Sequence, residues 1–211
     1  MHVPFFSVVI CTYQRGHLLD RAIRSLIAQA DADWEAVVID DGSTDDTAQV
    51  VQKYIDAGQP IRYFRHVHCG VARSRNAGIL AGKGLFVTFL DSDDEYSPEH
   101  LSSRHAMLIS NQEVRLLHGG IEVVGGDALV RDRHDPTQLI HLDDCVIGGT
   151  FVIRRDVFDQ IGLFSEVDYG DDAEFFERAA AADISIARTD HPTYRYYRDT
   201  PDALTRTHGT T

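Results

Sequence analysis

Strand-like and helix-like segments alternate along the first half of the chain, and this alternation constrains the fold more than any other feature of the sequence. Residues 5–12 form a short apolar run rich in β-branched side chains, and after Gly16 the apolar residues recur at helical spacing. The same patterns predict strands at 34–40, 61–65 and 85–90, and helices at 44–57 and 71–81. Because such units form right-handed βαβ crossovers, we expect an α/β fold with a doubly wound, mostly parallel, Rossmann-like sheet.

The second half of the chain is less regular. Its pattern predicts helices from Pro98 to about Ser110, at 156–161 and at 171–182, with a strand at 150–153. Between Gly119 and Gly149 the alternation fails, and we expect loops with one or two short antiparallel strands. The residues after Asp190 are polar and predict a mobile tail. The length of 211 residues, without repeats or linkers, favours a single domain.

The charge balance limits the possible partners. The formal net charge is −13, from 33 acidic and 20 basic residues, so the averaged field repels nucleic acid and anionic lipid surfaces. Any phosphate ligand therefore needs a local cation. The sequence has no apolar run long enough to span a membrane and no basic leader at its start, and its three cysteines are widely spaced. These features predict a cytoplasmic protein with reduced thiols and no transmembrane segment.

Acidic residues follow two of the predicted strands. The strand at 34–40 ends in Asp40 and Asp41, and the strand at 85–90 is followed by Asp-Ser-Asp-Asp at 91–94. Ligands of parallel sheets bind beyond the carboxyl ends of the strands, where these two ends can share one edge. Acids in such places often only cap helices and form turns. Two acidic strand ends together instead favour a site for a hard cation, Mg²⁺ or Mn²⁺, with a phosphorylated ligand.

Four sequence motifs stand out in the first half of the chain: SVVICTYQR at 7–15, VIDDGSTD at 38–45, GVARSRNAG at 70–78 and FLDSDD at 89–94. In order and spacing they closely resemble the nucleotide-binding half of family 2 glycosyltransferases of the GT-A fold. The resemblance is strong over residues 5–100 and resumes more loosely at 148–150, 161–164 and 170–172. Residues 111–147 have no counterpart that we can place. The resemblance implies a nucleotide-sugar-binding half at 1–110, an acceptor-side half with a short antiparallel extension at 111–190, and a tail at 191–211.

The resemblance also implies roles for individual residues in nucleotide binding. Positions that line the nucleotide pocket, bond the base or lie near the nucleotide in this family correspond here to Thr12, Tyr13, Arg15, Asp40, Asp41, Arg75 and Asn76. In the Asp-x-Asp motif, Asp93 corresponds to the acid that holds the metal, and Asp91 to the acid that faces the ribose or a metal-bound water. Ser92 lies between them and is included among the nucleotide-binding residues. As strand-end acids, these carboxylates are expected to be solvent-accessible.

The catalytic residues implied by the resemblance lie at the start of the last predicted helix. Asp172 corresponds to the acid proposed as general base, and Asp171 occupies a position where the family usually has Glu. The implied activity is inverting, metal-dependent transfer of a sugar from a nucleotide diphosphate sugar, a UDP-sugar above all, to a hydroxyl of a glycan, lipid-linked or protein acceptor. The chain lacks the Gln-x-x-Arg-Trp motif of processive relatives, and its only tryptophan is Trp34, so single additions are expected.

Two other interpretations of the acidic motif are open. In a phosphohydrolase of the haloacid dehalogenase type, Asp91 would be the nucleophile and Asp93 the acid, although that family generally places the motif after its first strand. Alternatively, the same fold could bind a nucleotide sugar without catalysing transfer.

The remaining polar clusters have weaker implications. His66, His68 and Cys69 lack a second His/Cys pair at zinc-site spacing, which argues against a structural zinc. His118, His134, His141 and the Asp-Asp-Cys run at 143–145 are expected in loops, with a role near the acceptor as the alternative. Arg195 and Arg198, among three tyrosines, could close over the diphosphate or lie on a surface strand.

Overall fold

The computed structural model describes residues 2–132, 135, 137–167 and 170–199. Within them, six α-helices have the following bounds: α1 Gly16–Ile27, α2 Thr47–Asp56, α3 Val71–Ala81, α4 His100–Ser110, α5 Asp156–Ile161 and α6 Asp171–Ala181. The strands are β1 Phe6–Thr12, β2 Trp34–Asp40, β3 Ile61–Arg65, β4 Phe86–Phe89, β5 Glu95–Tyr96, β6 Leu116–His118, β7 Ile121–Val124, β8 Leu129–Arg131, β9 Leu139–His141, β10 Val152–Arg154, β11 Ile186–Arg188 and β12 Tyr194–Tyr197. Two short 3₁₀ helices lie at Leu142–Asp144 and Gly148–Thr150.

The central sheet has seven strands in the order β11-β6-β10-β4-β1-β2-β3. Strands β4, β1, β2 and β3 are parallel to one another, whereas β10 is antiparallel to both β4 and β6. This is the mostly parallel α/β sheet that the alternation of strands and helices predicts, and the predicted fold class is confirmed.

Helices cover both faces of this sheet, because successive strand residues point to opposite sides. Val8 and Ile10 of β1 belong to a core cluster that includes residues of α1, α2 and α4. Val9, which lies between them, belongs to a second cluster that includes residues of α3, α5 and α6. The sheet is therefore doubly wound, and all three of these β1 side chains are at most 1% exposed.

The strand register brings the two acidic strand ends to the same edge. Thr12, the last residue of β1, pairs with Asp40 of β2, and Val9 pairs with Phe89 at the end of β4. The loops after β2 and β4 consequently flank the carboxyl end of β1. This is the arrangement expected from the strand order.

The region between Gly119 and Gly149 contains more strand structure than expected. Strands β8 and β9 form an antiparallel pair, in agreement with the expectation, but β7 belongs to a separate three-stranded sheet. In that sheet β12 lies between β5 and β7, parallel to β7 and antiparallel to β5. The prediction of a mobile tail after Asp190 is therefore wrong for residues 194–197, while residues 200–211 lie outside the described part of the chain.

Two predicted boundaries are also corrected. Helix α2 begins at Thr47 rather than at residue 44, because Asp45 Oδ1 accepts the backbone N–H of Thr47 in a turn that precedes the helix. Strand β10 begins at residue 152, two residues after the expected start at residue 150, since residues 148–150 form a 3₁₀ turn. None of the helices in the described residues is both long and apolar enough to cross a membrane.

Candidate active site

The acidic loop after β4 is the centre of the candidate site. The side chain of Asp91 is 33% exposed, whereas that of Asp93 is only 11% exposed and forms an ion pair with Arg15, whose Nη1 lies 2.9 Å from Asp93 Oδ2. Ser92 and Asp94 are buried beside them. The expectation of solvent-accessible acids therefore holds in part for Asp91 and is wrong for Asp93.

Crowding of these carboxylates changes their acid strength. Burial raises the pKa of Asp91, the guanidinium of Arg75 opposes this effect, and the neighbouring carboxylate of Asp93 adds to it. Asp94 is more strongly affected: burial first, and then the charges of Asp91 and Asp93, raise its pKa well above the usual range. Ionising the whole loop is unfavourable without additional positive charge.

Arg75 on α3 connects this loop to the start of α6. Its Nη1 donates to Asp171 Oδ2 at 2.6 Å, and its Nη2 lies 3.8 Å from Asp91 Oδ1. Burial opposes the charge on this guanidinium, but the carboxylates of Asp171 and Asp91 outweigh the burial and raise the Arg75 pKa above its ordinary value. Arg75 thus remains a cation between the two predicted parts of the site.

Asp172 has different surroundings from its neighbour Asp171. Its Oδ2 accepts the backbone N–H of Gly148 at 2.9 Å, and its Oδ1 accepts that of Ala173 at 2.8 Å. Burial raises the Asp172 pKa, although the charge of Arg75 opposes the increase. Because Asp171 forms the direct ion pair with Arg75, Asp172 is the carboxylate better suited to accept a proton.

Three predicted nucleotide-binding residues lie where β1 and β2 end. Thr12 is 3% exposed, and its buried Oγ1 has no hydrogen-bond partner among the described residues. The ring of Tyr13 is 43% exposed and stacks on His68 with centroids 4.2 Å apart. Asp41 accepts the backbone N–H groups of Cys69 and Gly70.

Two predicted nucleotide-binding residues have their polar atoms engaged within the protein. Asp40 is 1% exposed, and its carboxylate accepts the N–H of Ser43 and the hydroxyl of Tyr63. The amide of Asn76 bonds the backbone of Phe164 in both directions, at 2.9 Å each. The structure thus gives both residues a role in holding loops, and their contact with a nucleotide stays a prediction.

Tyr194 on β12 lies in the candidate site, whereas in the sequence it is only one of three tyrosines beside the two arginines. Tyr194 is fully buried, and its hydroxyl donates to Asp94 Oδ2 at 2.8 Å. The hydroxyl oxygen of Tyr194 also accepts the N–H of Asp91 at 3.2 Å. The oxygen also lies where a Cβ on Gly149 would come within 2.3 Å of it. No local pattern predicts this contact, because it joins residues about a hundred positions apart in the sequence.

The two arginines flanking these tyrosines have surface contacts. Arg195 pairs with Glu122 at 3.0 Å, and Arg198 donates to the backbone oxygens of Asp127 and Leu129. These contacts favour the surface-strand interpretation over closure on a diphosphate.

His118 and His141 end the strands β6 and β9, so the expectation that they lie in loops is wrong. His118 packs against Phe176, with ring centroids 5.0 Å apart, and His141 accepts the N–H of Asp143. His134 lies outside the described residues.

The donor atoms of the acidic loop fit a hard divalent cation. Asp91 and Asp93 offer carboxylate oxygens, the ligand type that Mg²⁺ and Mn²⁺ prefer, and burial together with the charge of Asp93 raises the pKa of Asp91. Cation binding at these two residues is therefore chemically consistent with the structure.

Comparison with known proteins places the chain in a family. The profile described as Glycosyl transferase family 2 matches residues 7–162. The chain belongs to glycosyl transferase family 2. This membership confirms the resemblance seen in the four motifs and removes the support for a haloacid-dehalogenase-type phosphohydrolase.

A curated relative from Escherichia coli illustrates the similarity. It is named UDP-Glc:alpha-D-GlcNAc-diphosphoundecaprenol beta-1,3-glucosyltransferase WfgD, and it is 27% identical over 150 residues, which cover 70% of this chain and 58% of the relative. Another relative, an uncharacterized glycosyltransferase from Haemophilus influenzae, is 31% identical over 120 residues, which cover 56% of this chain and 48% of the relative. The chain thus spans about half the length of these relatives.

Solved structures show the same fold. TarS residues 1–349 of S. aureus, in complex with UDP-GlcNAc, has a TM-score of 0.78 and 24% identity, covering 92% of this chain and 59% of TarS 1–349. The mannosyltransferase PcManGT from Pyrobaculum calidifontis, in complex with GDP-Man and Mn²⁺, has a TM-score of 0.75 and 16% identity. The match covers 99% of this chain and 60% of PcManGT. The chain therefore has a GT-A type fold.

Proposed function

We propose that this chain binds a nucleotide diphosphate sugar at the carboxyl ends of β1, β2 and β4 and transfers the sugar to an acceptor hydroxyl. The observation that carries the proposal is the position of Arg75, within 3.8 Å of Asp91 and 2.6 Å of Asp171. It brings the donor-side acids and the start of α6 into one cleft, as transfer between two substrates requires. A UDP-sugar donor is supported by the name of the E. coli relative and by the UDP-GlcNAc complex of TarS.

In this proposal Asp93 and Asp91 hold Mn²⁺ or Mg²⁺. The bound cation would supply positive charge for the diphosphate that leaves the sugar. Support comes from the carboxylate donor set and from the Mn²⁺ complex of the neighbour PcManGT. Because Arg15 is paired with Asp93, its guanidinium would exchange this contact for the diphosphate when the donor binds.

The proposed chemistry is an inverting displacement. The oxygen of the acceptor hydroxyl attacks the anomeric carbon, and Asp172 accepts the proton of that hydroxyl. The bond from the anomeric carbon to the diphosphate oxygen breaks on the opposite face. Asp171 is a positioning residue that holds Arg75 and, through it, Asp91. We further propose single additions, supported by the absence of the Gln-x-x-Arg-Trp motif from this sequence, and a glycan or lipid-linked acceptor, supported by the name of the E. coli relative.

Calorimetric titration with UDP and with GDP, in Mn²⁺ and in excess EDTA, tests the donor site. We expect UDP to bind at least about tenfold more tightly with Mn²⁺, since the crowded acids need a cation to accept a diphosphate. The variant Asp93→Asn should lose this metal dependence. The matched control is Asp190→Asn, at a side chain that is 90% exposed.

The outcomes of that titration separate the parts of the proposal. Equal UDP affinity in EDTA would contradict the metal role alone. Tighter binding of GDP than UDP would contradict the choice of base. If neither nucleotide binds with or without metal, the donor site itself is wrong.

A further inference from the structure

A second cluster of ligand-type side chains lies beside the end of β2, outside the Asp91–Asp93 loop. Asp41 follows β2, while His66 and Cys69 belong to the loop from β3 to α3. Cys69 Sγ lies 3.1 Å from His66 Nδ1, and this nitrogen lies 3.5 Å from Asp41 Oδ1. One ligand atom from each of the three residues lies within 4.8 Å of the others.

Two of these separations are close to the edges of a tetrahedral metal site. With bonds of about 2.3 Å to sulfur and about 2.0–2.1 Å to nitrogen or oxygen, tetrahedral Zn²⁺ places S and N about 3.5 Å apart and N and O about 3.4 Å apart. The observed values of 3.1 and 3.5 Å differ from these by a few tenths of an ångström. The third pair of ligand atoms, Cys69 Sγ and an oxygen of Asp41, lies within 4.8 Å, so side-chain shifts would complete the site.

The carboxylate of the cluster is already oriented by its surroundings. The N–H groups of Cys69 and Gly70 donate to its two oxygens at 2.7 and 2.9 Å, and His68 Nδ1 lies 2.8 Å from Oδ2. Gly42 allows the loop to approach, because a Cβ there would lie 2.9 Å from the His68 backbone nitrogen. Such outer contacts fix a carboxylate ligand as they do in known metal sites.

The chemistry of the three ligands selects the class of metal. A thiolate and an imidazole favour Zn²⁺ over Mg²⁺ or Mn²⁺, which prefer oxygen. Cys69 would lose its thiol proton to solvent when the metal binds, since the thiolate is the ligand form. We propose that Asp41, His66 and Cys69 bind Zn²⁺ in a site with an open fourth position, separate from the Asp91–Asp93 loop.

The spacing of His66, His68 and Cys69 in the sequence argues against zinc, because no second His/Cys pair follows. The third ligand comes instead from a carboxylate 25 to 28 residues earlier in the chain, which only the pairing of β2 with β3 brings near.

The metal alone tests the site. Co²⁺ titrated into the reduced protein should produce thiolate-to-cobalt charge-transfer absorption, and Zn²⁺ should displace it. Cys69→Ser should abolish this absorption, and His66→Gln should weaken Zn²⁺ binding at least about tenfold. The controls are Cys145→Ser, which changes another free cysteine, and His17→Gln, at an exposed histidine; both should bind as the wild type does.

Two results would overturn the inference. One is the absence of charge-transfer absorption in the wild type, which would make the cluster a hydrogen-bonded loop. The other is absorption that survives Cys69→Ser and disappears with Cys145→Ser. Circular dichroism of each variant excludes unfolding as the cause, and His66→Gln provides an independent answer if Cys69→Ser does not fold.

A consequence of this site rests on the proposed function. The family resemblance places Asp41 among the residues that bind the nucleotide. A carboxylate that ligates Zn²⁺ is a poorer hydrogen-bond acceptor. Zn²⁺ and UDP should therefore bind antagonistically, each weakening the other by the same factor. UDP titrations with Mn²⁺, with and without Zn²⁺, measure this factor in the wild type and in Cys69→Ser. A factor of one in the wild type would refute the antagonism, whereas failure of UDP to bind at all would count against the proposed donor site and not against the metal site.

Discussion

At the scale of single residues, Asp171 and Asp172 are adjacent carboxylates with different neighbours. Asp171 is ion-paired with Arg75 at 2.6 Å, and both side chains are nearly buried. Asp172 accepts two backbone N–H groups, and burial raises its pKa. One residue is therefore suited to holding a cation and the other to accepting a proton.

The variant Asp172→Asn should transfer sugar at least about a hundredfold more slowly, because a general base typically contributes about 10² to 10⁴ in rate. Donor and metal affinity should be unchanged. Stability should change by about 1 kcal/mol or less, since Asn can still accept one of the two N–H groups. Turnover, calorimetric and urea-unfolding measurements on the same preparation check all three.

Asp171→Asn is the matched control for that substitution. Removing one partner of a buried ion pair should lower the free energy of unfolding by about 3 kcal/mol, because Arg75 keeps its charge. If Asp171→Asn is stable and inactive while Asp172→Asn retains turnover, the base has been assigned to the wrong residue. Normal turnover by both would support a binding module whose proposed base is not used.

Asp94 should make stability depend on pH. Its pKa is raised in the folded protein, so the folded state holds this proton more tightly than the unfolded chain does. Its contribution to stability is therefore fully present below the unfolded pKa of about 3.9 and is lost as pH rises toward the folded value. In EDTA, the free energy of unfolding should fall more steeply above pH 4 in the wild type than in Asp94→Asn. Asp190→Asn should follow the wild type, and parallel curves for all three would contradict the assignment.

Most of the acidic residues of the site could be predicted, because each follows a strand or begins a helix within a recognisable motif. Asp91, Asp93 and Asp172 are examples. Their contacts could not be predicted from the sequence. Asp93 is paired with Arg15, and the Thr12 hydroxyl is buried without a hydrogen-bond partner among the described residues, and neither follows from a local sequence pattern.

At the scale of secondary-structure elements, β12 connects the end of the described chain to the acidic loop. Tyr194 bonds Asp94 and Asp91, and the backbone N–H of Tyr197 donates to Asp94 Oδ1 at 2.8 Å. A strand that pairs with β5 and β7 thus also supports the loop between β4 and β5.

Tyr194→Phe should destabilise the protein by about 1–3 kcal/mol, because it leaves a buried carboxylate oxygen and a buried N–H without their partner. It should also weaken metal-dependent UDP binding by loosening the acidic loop. Tyr197→Phe is the control on the same strand, since its hydroxyl bonds Glu95 instead. Thermal unfolding and UDP titration compare the two, and equal effects from both would contradict a specific role for Tyr194.

The elements that the sequence predicted well are those formed by local patterns. Helix α3 has its predicted bounds and follows Gly70, whose φ of 94° suits glycine. The pairing of β7 with β12 was missed because the two strands are about 70 residues apart and neither contains a long alternating run. Short strands of this kind gain their stability from distant partners rather than from their own sequence.

At the scale of the whole molecule, the net charge of −13 acts against polyanionic partners. Nucleic-acid binding proteins gain most of their affinity from lysine and arginine contacts to phosphates, and that affinity is greatest at low salt. Neither RNA nor duplex DNA should therefore be retained, even at low ionic strength. Electrophoretic mobility of labelled nucleic acid checks this, and a shift that disappears with added salt would contradict it.

The bond between Arg75 and Asp171 joins positions 96 residues apart, one in each half of the chain. This limits how the protein can be recombined with its relatives. A chimera that keeps residues 1–110 and takes its second half from a protein with glutamate at position 171 would place a side chain one methylene longer against the same guanidinium. Such a graft should succeed more often when the α3 arginine and the acid at the start of α6 come from the same parent.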